Sequence, residues 1–340
     1  MTQLTSAQFQ SALSNRYVFD RVLGRGGMGT VYLARDVKHG RQVAIKAMSP
    51  EVVAAVGARQ FLREIRVTAQ LQHPHILQLI DSGEAAGCPY YVMPYIKEGS
   101  LRELLDSKKR LSADDALAIL SDLAGALEYA HENGVIHCDI KPANILISAG
   151  HAVLADFGIA RAHRVQWRAW RAVVDSSAGT PEYMSPEQAT GDVVDGRSDL
   201  YSLACVLYEM LAGEPPFSAE SDQAMIAGRF TKPIPRLDEV VRHTIPGLSL
   251  AVEKAMALHP RHRFPSIAVF MRAVESEVSS PTASGSRSRR RWSEAFGLMS
   301  YRIALRLRRR LRKTVAQSKR GLDAAAAGTS GRGWQHDTLG

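Results

Sequence analysis

Three oxygen-bearing side chains that are close in the chain have the types needed to hold a hard cation and to accept a proton. Asp139 and Asn144 are five residues apart in the segment HCDIKPAN (137–144), and Asp156 follows twelve residues later in Asp-Phe-Gly. Mg²⁺ prefers carboxylate and amide oxygens together with phosphates. For either motif alone, two polar turns flanking a hairpin are the alternative. The two motifs at this spacing favour a site that binds a cation and accepts a proton over two unrelated polar turns.

A glycine-rich turn near the start of the chain is typical of a loop that covers phosphates. Gly24, Gly26 and Gly29 form G-x-G-x-x-G within residues 17–35. Glycine has no Cβ, so the backbone can bend sharply and approach a phosphate. A dinucleotide-binding fold would begin a helix directly afterwards. Here Thr30–Ala34 is β-branched and aromatic, which predicts a strand and favours a flap over a nucleotide.

Two charged residues downstream of the flap are candidates for an ion pair. Lys46 ends the short apolar strand Val43–Lys46. It is either a solvated edge lysine or a point charge that reaches phosphates. Glu64 lies on a helix predicted over Ala58–Leu71. It either pairs with arginines on the helix surface or turns inward to Lys46.

A turn at His73-Pro74-His75 is predicted to end this helix, because proline disfavours a helical residue before it. The two histidines are assigned to the turn and not to a metal site, since no other ligand cluster accompanies them. Strands are predicted over Ile76–Asp81 and Tyr90–Pro94. An amphipathic helix over Ser112–Asn133 and a buried helix over Asp199–Leu211 follow.

Composition places the chain among globular proteins. It has 340 residues and 45% hydrophobic content, enough for a sizeable core. Cys88, Cys138 and Cys205 form no disulfide or metal pattern, which indicates a reducing compartment. Residues 1–16 contain no apolar signal segment. No apolar stretch reaches the roughly 18 residues that a spanning helix needs, so a cytoplasmic location is expected.

The positive charge is concentrated near the end of the sequence. Residues 287–313 hold eleven Lys and Arg against Glu294 alone, so the net charge of this segment is +10. Because the formal net charge of the whole chain is +9, all other residues together carry −1. Apolar residues recur there every three or four positions, as in helices that lie on an anionic membrane; a solvated or partner-docked helix is the alternative. Nucleic-acid binding by this segment is less favoured, and no sequence-specific nucleic acid is expected.

Taken in order, the motifs of residues 17–278 resemble the eukaryotic-type (Hanks-type) protein kinase family, and within it the bacterial Ser/Thr kinases. The resemblance implies an α+β bilobal fold. Its N-lobe would be a five-stranded antiparallel sheet plus one helix, and its C-lobe mainly helical. The resemblance implies a kinase domain at 17–278 (N-lobe 17–94, C-lobe 97–278), preceded by a 1–16 extension. Composition and spacing after it predict a 279–288 linker, a 289–318 basic amphipathic helix and a 319–340 disordered tail.

The resemblance also implies the reaction, in which the γ-phosphate of ATP moves to Ser or Thr hydroxyls of protein substrates. Asp139 would accept the hydroxyl proton and Lys141 would steady the γ-phosphate, a pattern similar to Ser/Thr-specific kinases. Lys46, paired with Glu64, would hold the α- and β-phosphates. The residues implied to carry Mg²⁺ or Mn²⁺ are Asn144 and Asp156.

The resemblance further implies a nucleotide pocket, with a hinge at residues 93–96 whose backbone meets adenine. Pro94 in this hinge has no N–H to donate. The residues implied to contact the nucleotide are Leu23, Gly24, Gly26, Gly27, Met28, Gly29, Val31, Ala44, Lys46, Met93, Ile96 and Leu146.

The resemblance implies roles for four further residues of the C-lobe. Glu187 in Ser-Pro-Glu would pair with Arg263, and Asp199 would anchor the backbone of the catalytic loop. Thr180 would touch Asp139 and Lys141. A pseudokinase scaffold and a small-molecule kinase are the rival functions; the complete set of motif residues disfavours the first, and the Ser-Pro-Glu segment with its arginine disfavours the second.

The sequence departs from the family pattern at Cys138, where most members have arginine before the catalytic aspartate. That arginine meets a phosphate on the activation segment. A non-RD kinase, with weak control by phosphorylation of Ser176 and Ser177, is therefore expected. Redox control through Cys138 is a less favoured alternative, because reactive thiols need an exposed, electropositive site.

Overall fold

The glycine turn and Lys46 lie on the first strands of an antiparallel sheet. The computed structural model describes residues 6–157, 181–241 and 247–279. The chain divides into two units, Met1–Glu277 and Val278–Gly340. The sheet has the order β1-β2-β3-β5-β4. Its strands are β1 (Tyr17–Gly26), β2 (Gly29–Asp36), β3 (Arg41–Met48), β4 (Asp81–Ala85) and β5 (Cys88–Pro94).

Alternation along β3 gives the sheet its two apolar faces. Val43 and Ile45 are fully buried on one face, in a cluster with Phe9. Ala44 is buried on the other, in a cluster with Phe61. Successive side chains of a strand point to opposite faces, so Lys46 shares the face of Ala44. The register pairs Lys46 with Val31 on β2 and Tyr91 on β5.

The five-stranded antiparallel sheet is confirmed, but more than one helix accompanies it. These are α1 (Ser6–Leu13), α2 (Pro50–Val56) and α3 (Ala58–Thr68). Only α3 was expected. Phe9 of α1 packs against Phe19, Tyr32 and Tyr90, so α1 covers the sheet face that α3 leaves uncovered.

The strand predicted over Ile76–Asp81 is wrong, since β4 begins only at Asp81. The apolar run before it ties the sheet to the C-lobe instead. Ile76 forms a parallel bridge with Leu154, and the Leu77 amide donates to the Leu154 carbonyl at 2.9 Å. Ile76 is buried and Leu77, Leu79 and Ile80 are partly buried, and periodicity cannot tell such a run from a sheet strand.

Helices dominate the second half of the described chain. The predicted helix at Ser112–Asn133 is confirmed as α5, with Ser112 accepting from the Asp115 amide as its N-cap. The buried helix is confirmed as α7, in which Leu200 to Leu211 are all buried. The helices are α4 (Leu101–Lys108), α5 (Ala113–Glu132), α6 (Pro186–Thr190), α7 (Gly196–Ala212), α8 (Asp222–Thr231), α9 (Leu237–Val240), α10 (Leu248–Ala255) and α11 (Ile267–Ser279).

A two-stranded hairpin carries the predicted site residues. It pairs β6 (Ile145–Ser148) with β7 (His151–Leu154) in antiparallel register. Asn144 precedes the hairpin and Asp156 follows it, so the pairing of Ile145 with Leu154 brings the two ends together. No helix in the described ranges is long and apolar enough to cross a membrane.

Candidate active site

A cavity of about 290 Å³ lies beneath the glycine turn that joins β1 and β2. Its floor is the segment 138–144 together with Asp156. The predicted residues that line it are Gly24, Gly26, Gly27, Met28, Gly29, Val31, Lys46, Asp139, Lys141, Asn144 and Asp156. Residues that were not predicted and also line it include Tyr183, Met184, Gln188 and Ser202.

The glycines of the turn differ in why they must be glycine. Gly29 has φ +148, and a Cβ there would collide with the carbonyl oxygen of Ala47. Glycine is therefore required at position 29 by packing within the sheet. Among the described residues, a Cβ on Gly24 or Gly26 would meet nothing within 4 Å. Those two glycines leave open the space above the cavity floor.

Lys46 and Asp156 form an ion pair at the back of the cavity, with Lys46 Nζ 2.7 Å from Asp156 Oδ2. Burial alone would raise the pKa of Asp156, but the charge and hydrogen bond of Lys46 outweigh it and hold that pKa below its ordinary value. The Tyr91 hydroxyl donates to the other carboxylate oxygen, Oδ1. Burial and the Asp156 charge raise the pKa of Tyr91 well above its ordinary value, so Tyr91 remains a donor.

The predicted Lys46–Glu64 pair is not formed in this structure. Glu64 is buried, as expected, but its Oε1 accepts from Gln60 Nε2 at 2.8 Å, one turn earlier on α3. Lys46 pairs with Asp156 instead. The Tyr91 ring centroid is 5.9 Å from Lys46 Nζ, and the same ring stacks on Phe61 of α3. This aromatic ring therefore lies between α3 and the lysine.

Asp139 is held by the two neighbours that the motif supplies. Asn144 Nδ2 donates to Asp139 Oδ2 at 2.7 Å and to the Asp139 carbonyl at 2.8 Å. Lys141 Nζ is 3.0 Å from Asp139 Oδ2. The Asp139 side chain is 29% exposed, enough for a substrate hydroxyl to reach its carboxylate. The donor role of the Asn144 nitrogen leaves its amide oxygen as an acceptor, which suits a hard cation.

A buried aspartate shapes the loop around Asp139. Asp199 accepts from the backbone amides of His137 and Cys138, both at 2.8 Å, and from His131 Nε2 at 2.7 Å. Burial would raise the pKa of Asp199, but the His131 hydrogen bond and charge lower it overall. The predicted anchoring by Asp199 is confirmed. His131 was not predicted, because nothing in the sequence links it to a residue so far along the chain.

Cys138 is buried within the same loop and takes a positive φ of 61°. Such a conformation costs on the order of 1–3 kcal/mol for a residue other than glycine. Its carbonyl accepts from Gln188 Nε2 at 2.8 Å, and its amide is held by Asp199. Burial, followed by the charge of Asp199, raises the thiol pKa well above its ordinary value. A buried thiol with a raised pKa is a poor redox sensor.

The predicted pair between Glu187 and Arg263 is confirmed. Two parallel contacts of 2.7 Å join the guanidinium to the carboxylate, and Ser198 Oγ donates to Glu187 Oε1 at 2.6 Å. The Arg263 side chain is fully buried. It also donates to the carbonyls of Arg197 and Leu258. The pair thus links α6 to the segment before α11.

Except for Val31, the residues expected around adenine are not part of the cavity lining. Leu23, Val31, Ala44 and Met93 belong to one apolar cluster, in which Ala44 pairs with Met93 across the sheet. The expected residues that do not line the cavity are Leu23, Ala44, Glu64, Met93, Ile96 and Leu146. Several predicted features lie outside the described residues: Ser176, Ser177, Thr180 and, except for Ser279, the segments 279–288, 289–318 and 319–340.

Comparison with known proteins gives the same class as the fold and the cavity. The family model described as protein kinase domain matches residues 17–263. The chain is 42% identical over 271 residues to the serine/threonine-protein kinase PknB of Mycobacterium tuberculosis, covering 76% of this chain and 42% of that protein. It is 40% identical over 263 residues to the probable serine/threonine-protein kinase SCO3848 of Streptomyces coelicolor, covering 75% and 38%.

The chain therefore belongs to the protein kinase family. A third relative, the serine/threonine-protein kinase PknD of Mycobacterium tuberculosis, is 42% identical over 253 residues, which is 74% of this chain and 38% of PknD. These relatives are bacterial Ser/Thr kinases, as the sequence motifs predicted. The match spans less than half the length of each of them.

Proposed function

We propose that the chain is a protein serine/threonine kinase that transfers the γ-phosphate of ATP, with Mg²⁺ or Mn²⁺, to hydroxyls of protein substrates. One observation carries the proposal. Lys46, Asp139, Lys141, Asn144 and Asp156 all line a single cavity beneath the glycine turn. Phosphoryl transfer depends mainly on positioning and on positive charge near the phosphoryl oxygens, and this cavity offers both.

Each residue has a task that its position supports. Asp139 orients the substrate hydroxyl and accepts its proton, while Lys141, 3.0 Å away, supplies positive charge beside it. Lys46, now paired with Asp156, would hold the phosphates. Asn144 and the Asp156 carboxylate would hold the metal, which when bound would supply positive charge beside the phosphates. Glu64 is buried on α3, and pairing it with Lys46 requires its side chain to leave Gln60 Nε2 and the Tyr91 ring to move aside.

The test is transfer of label from γ-³²P-ATP to a generic basic protein, followed by phosphoamino acid analysis. We expect label on serine and threonine, and its loss in Lys46→Met. A folded wild-type chain that labels nothing would support the pseudokinase scaffold instead. Label on tyrosine alone would contradict the assignment of substrate class.

The uncharged residue before Asp139 leads to a prediction about regulation. Cys138 has a buried, protonated side chain and offers no cation to a phosphate. The double variant Ser176→Ala, Ser177→Ala is therefore expected to keep kcat/KM within about tenfold of wild type, roughly 1.4 kcal/mol of barrier. Steady-state assays with the same basic protein measure this. A larger loss would show that phosphorylation at these serines controls the enzyme.

We further propose that the basic segment 289–313 binds anionic membrane surfaces. Its net positive charge and its three- or four-residue apolar spacing support this. The full chain is expected to co-sediment with vesicles containing phosphatidylserine and to dissociate as salt is raised. The control variant is Arg308→Glu, Arg309→Glu, Arg310→Glu, which should remain in the supernatant. Equal sedimentation with neutral vesicles would end the proposal.

A further inference from the structure

Three potential metal ligands from separate parts of the chain meet away from the cavity. They are His75, in the segment after α3, Asp122 on α5, and His151 at the start of β7. One ligand atom from each lies within 4.8 Å of the other two. None of the three lines the cavity beneath the glycine turn. Their separation along the chain explains why the turn His73-Pro74-His75 was assigned no ligand role.

The ring of His75 is oriented with a nitrogen toward Asp122. His75 Nδ1 is 2.9 Å from the carbonyl oxygen of Ala152. A carbonyl only accepts hydrogen bonds, so Nδ1 carries a hydrogen. In a neutral imidazole the other nitrogen, Nε2, then presents a lone pair. A backbone carbonyl on one ring nitrogen is the usual orienting partner of a histidine that binds metal through the other.

The carboxylate opposite has one satisfied oxygen and one without a partner. Asp122 Oδ2 accepts from the Ala152 amide at 3.0 Å and contacts His151 Nδ1 at 3.2 Å. Oδ1 is buried and has no hydrogen-bond partner within residues 6–157, 181–241 and 247–279, although His75 Nε2 is only 3.3 Å away. The Asp122 side chain is 3% exposed. Leaving such an oxygen unsatisfied is unfavourable, because burial removes its hydration and supplies no hydrogen bond in return.

A cation between the two atoms would satisfy both. Ligands about 2.0–2.1 Å from a tetrahedral Zn²⁺ are about 3.3 Å apart, which matches this spacing. His151 is 59% exposed, so it gives the ion a path from solvent and leaves room for water as a further ligand. Two imidazoles and one carboxylate suit a borderline ion better than Mg²⁺ or Ca²⁺.

We propose that His75, Asp122 and His151 form a binding site for a divalent transition-metal ion of the Zn²⁺ class. The site would join the segment after α3 to α5 and β7. The carbonyl of His75 already accepts from the Leu154 amide at 2.9 Å, two residues before Asp156. Bound metal therefore stabilises the strand that delivers Asp156 to the cavity, and does so from outside the nucleotide site.

The test is calorimetric titration of the chelator-treated full chain with Zn²⁺, together with its thermal unfolding. Wild type should bind one Zn²⁺ at this site and gain thermal stability. His151→Ala, at an exposed position, should weaken that event at least tenfold and remove the gain in stability. Asp122→Asn should do the same, and the visible absorption of Co²⁺ should report loss of the ligands.

The matched control is His39→Ala. His39 Nδ1 lies 2.7 Å from buried Asp36 Oδ2 and is 46% exposed, so it is also a His–Asp pair, but it belongs to no three-ligand group among the described residues. It should bind Zn²⁺ like wild type. Unchanged Zn²⁺ affinity in His151→Ala, or no binding by wild type, would overturn the proposal. Either result would leave a direct His75–Asp122 contact, without metal, as the explanation of their 3.3 Å separation.

Discussion

Asp139→Asn is expected to lower kcat for protein phosphorylation by about 10²–10⁴-fold, the usual contribution of a positioned general base. Asparagine keeps the shape of the side chain but cannot accept the hydroxyl proton. Asn144 can still donate to the Asp139 backbone carbonyl, a contact now at 2.8 Å, so the loop should keep its conformation. The KM for ATP should change little, because Lys46 and Asp156 remain.

The matched control for this variant is Asp106→Asn. Asp106 is 64% exposed and pairs with Arg102 on the surface of α4, outside the cavity. Its replacement should leave kcat within about twofold of wild type, since pairs of this kind contribute little even to stability. If Asp139→Asn retained more than a tenth of wild-type kcat, Asp139 would not be the proton acceptor.

Glu187→Gln should lower the free energy of unfolding by about 3–5 kcal/mol, because it leaves Arg263 buried without its counter-charge. The Arg263 side chain is 0% exposed and that of Glu187 is 6% exposed. Urea denaturation of the two proteins measures the loss. The catalytic residues lie elsewhere, so activity per folded molecule should fall far less than stability does.

The same pair has a predictable pH dependence. Burial would raise the pKa of Glu187, but the hydrogen bonds and charge of Arg263 hold it below its ordinary value of 4.5. A depressed pKa contributes stability above the unfolded value, and the contribution is lost as pH falls through the folded value. The difference in free energy of unfolding between wild type and Glu187→Gln should therefore be greatest above pH 4.5 and should decrease as the pH falls below it.

An exposed ion pair at the N-terminus of α7 provides the control. Asp195 and Arg197 are 2.6 Å apart, with side chains 42% and 34% exposed. Asp195→Asn keeps an N-cap for α7, since asparagine caps as well as aspartate, and should cost less than about 1 kcal/mol. If Asp195→Asn and Glu187→Gln lowered the free energy of unfolding equally, burial would not determine how much the Glu187–Arg263 pair contributes to stability.

Parts of the site that depend on local spacing could be predicted from the sequence. Asp139 and Asn144 share one loop, and the short β6–β7 hairpin necessarily returns Asp156 to them. The bounds of α5 follow from Ser112 at one end and Asn133 at the other. These features need only the geometry of a loop, a hairpin and a helix cap.

Contacts that depend on register between distant strands could not be predicted. Tyr91 faces Lys46 only because β5 pairs with β3 in one particular register, and a shift by one residue would turn its ring to the other face. The choice of Asp156 over Glu64 as partner of Lys46 follows from that placement. The His75–Asp122–His151 group is a similar case, since its members meet only through the packing of three separate elements.

Calorimetric titration with ATP, in the presence and absence of Mg²⁺, tests most directly whether the cavity beneath the glycine turn is a Mg-ATP site. The wild-type chain should bind one ATP with Mg²⁺, and both chelation of Mg²⁺ and Asp156→Asn should weaken binding at least tenfold. Absence of any binding heat in the folded wild-type chain, or affinity that is the same with and without Mg²⁺, would contradict the roles assigned to Asn144 and Asp156.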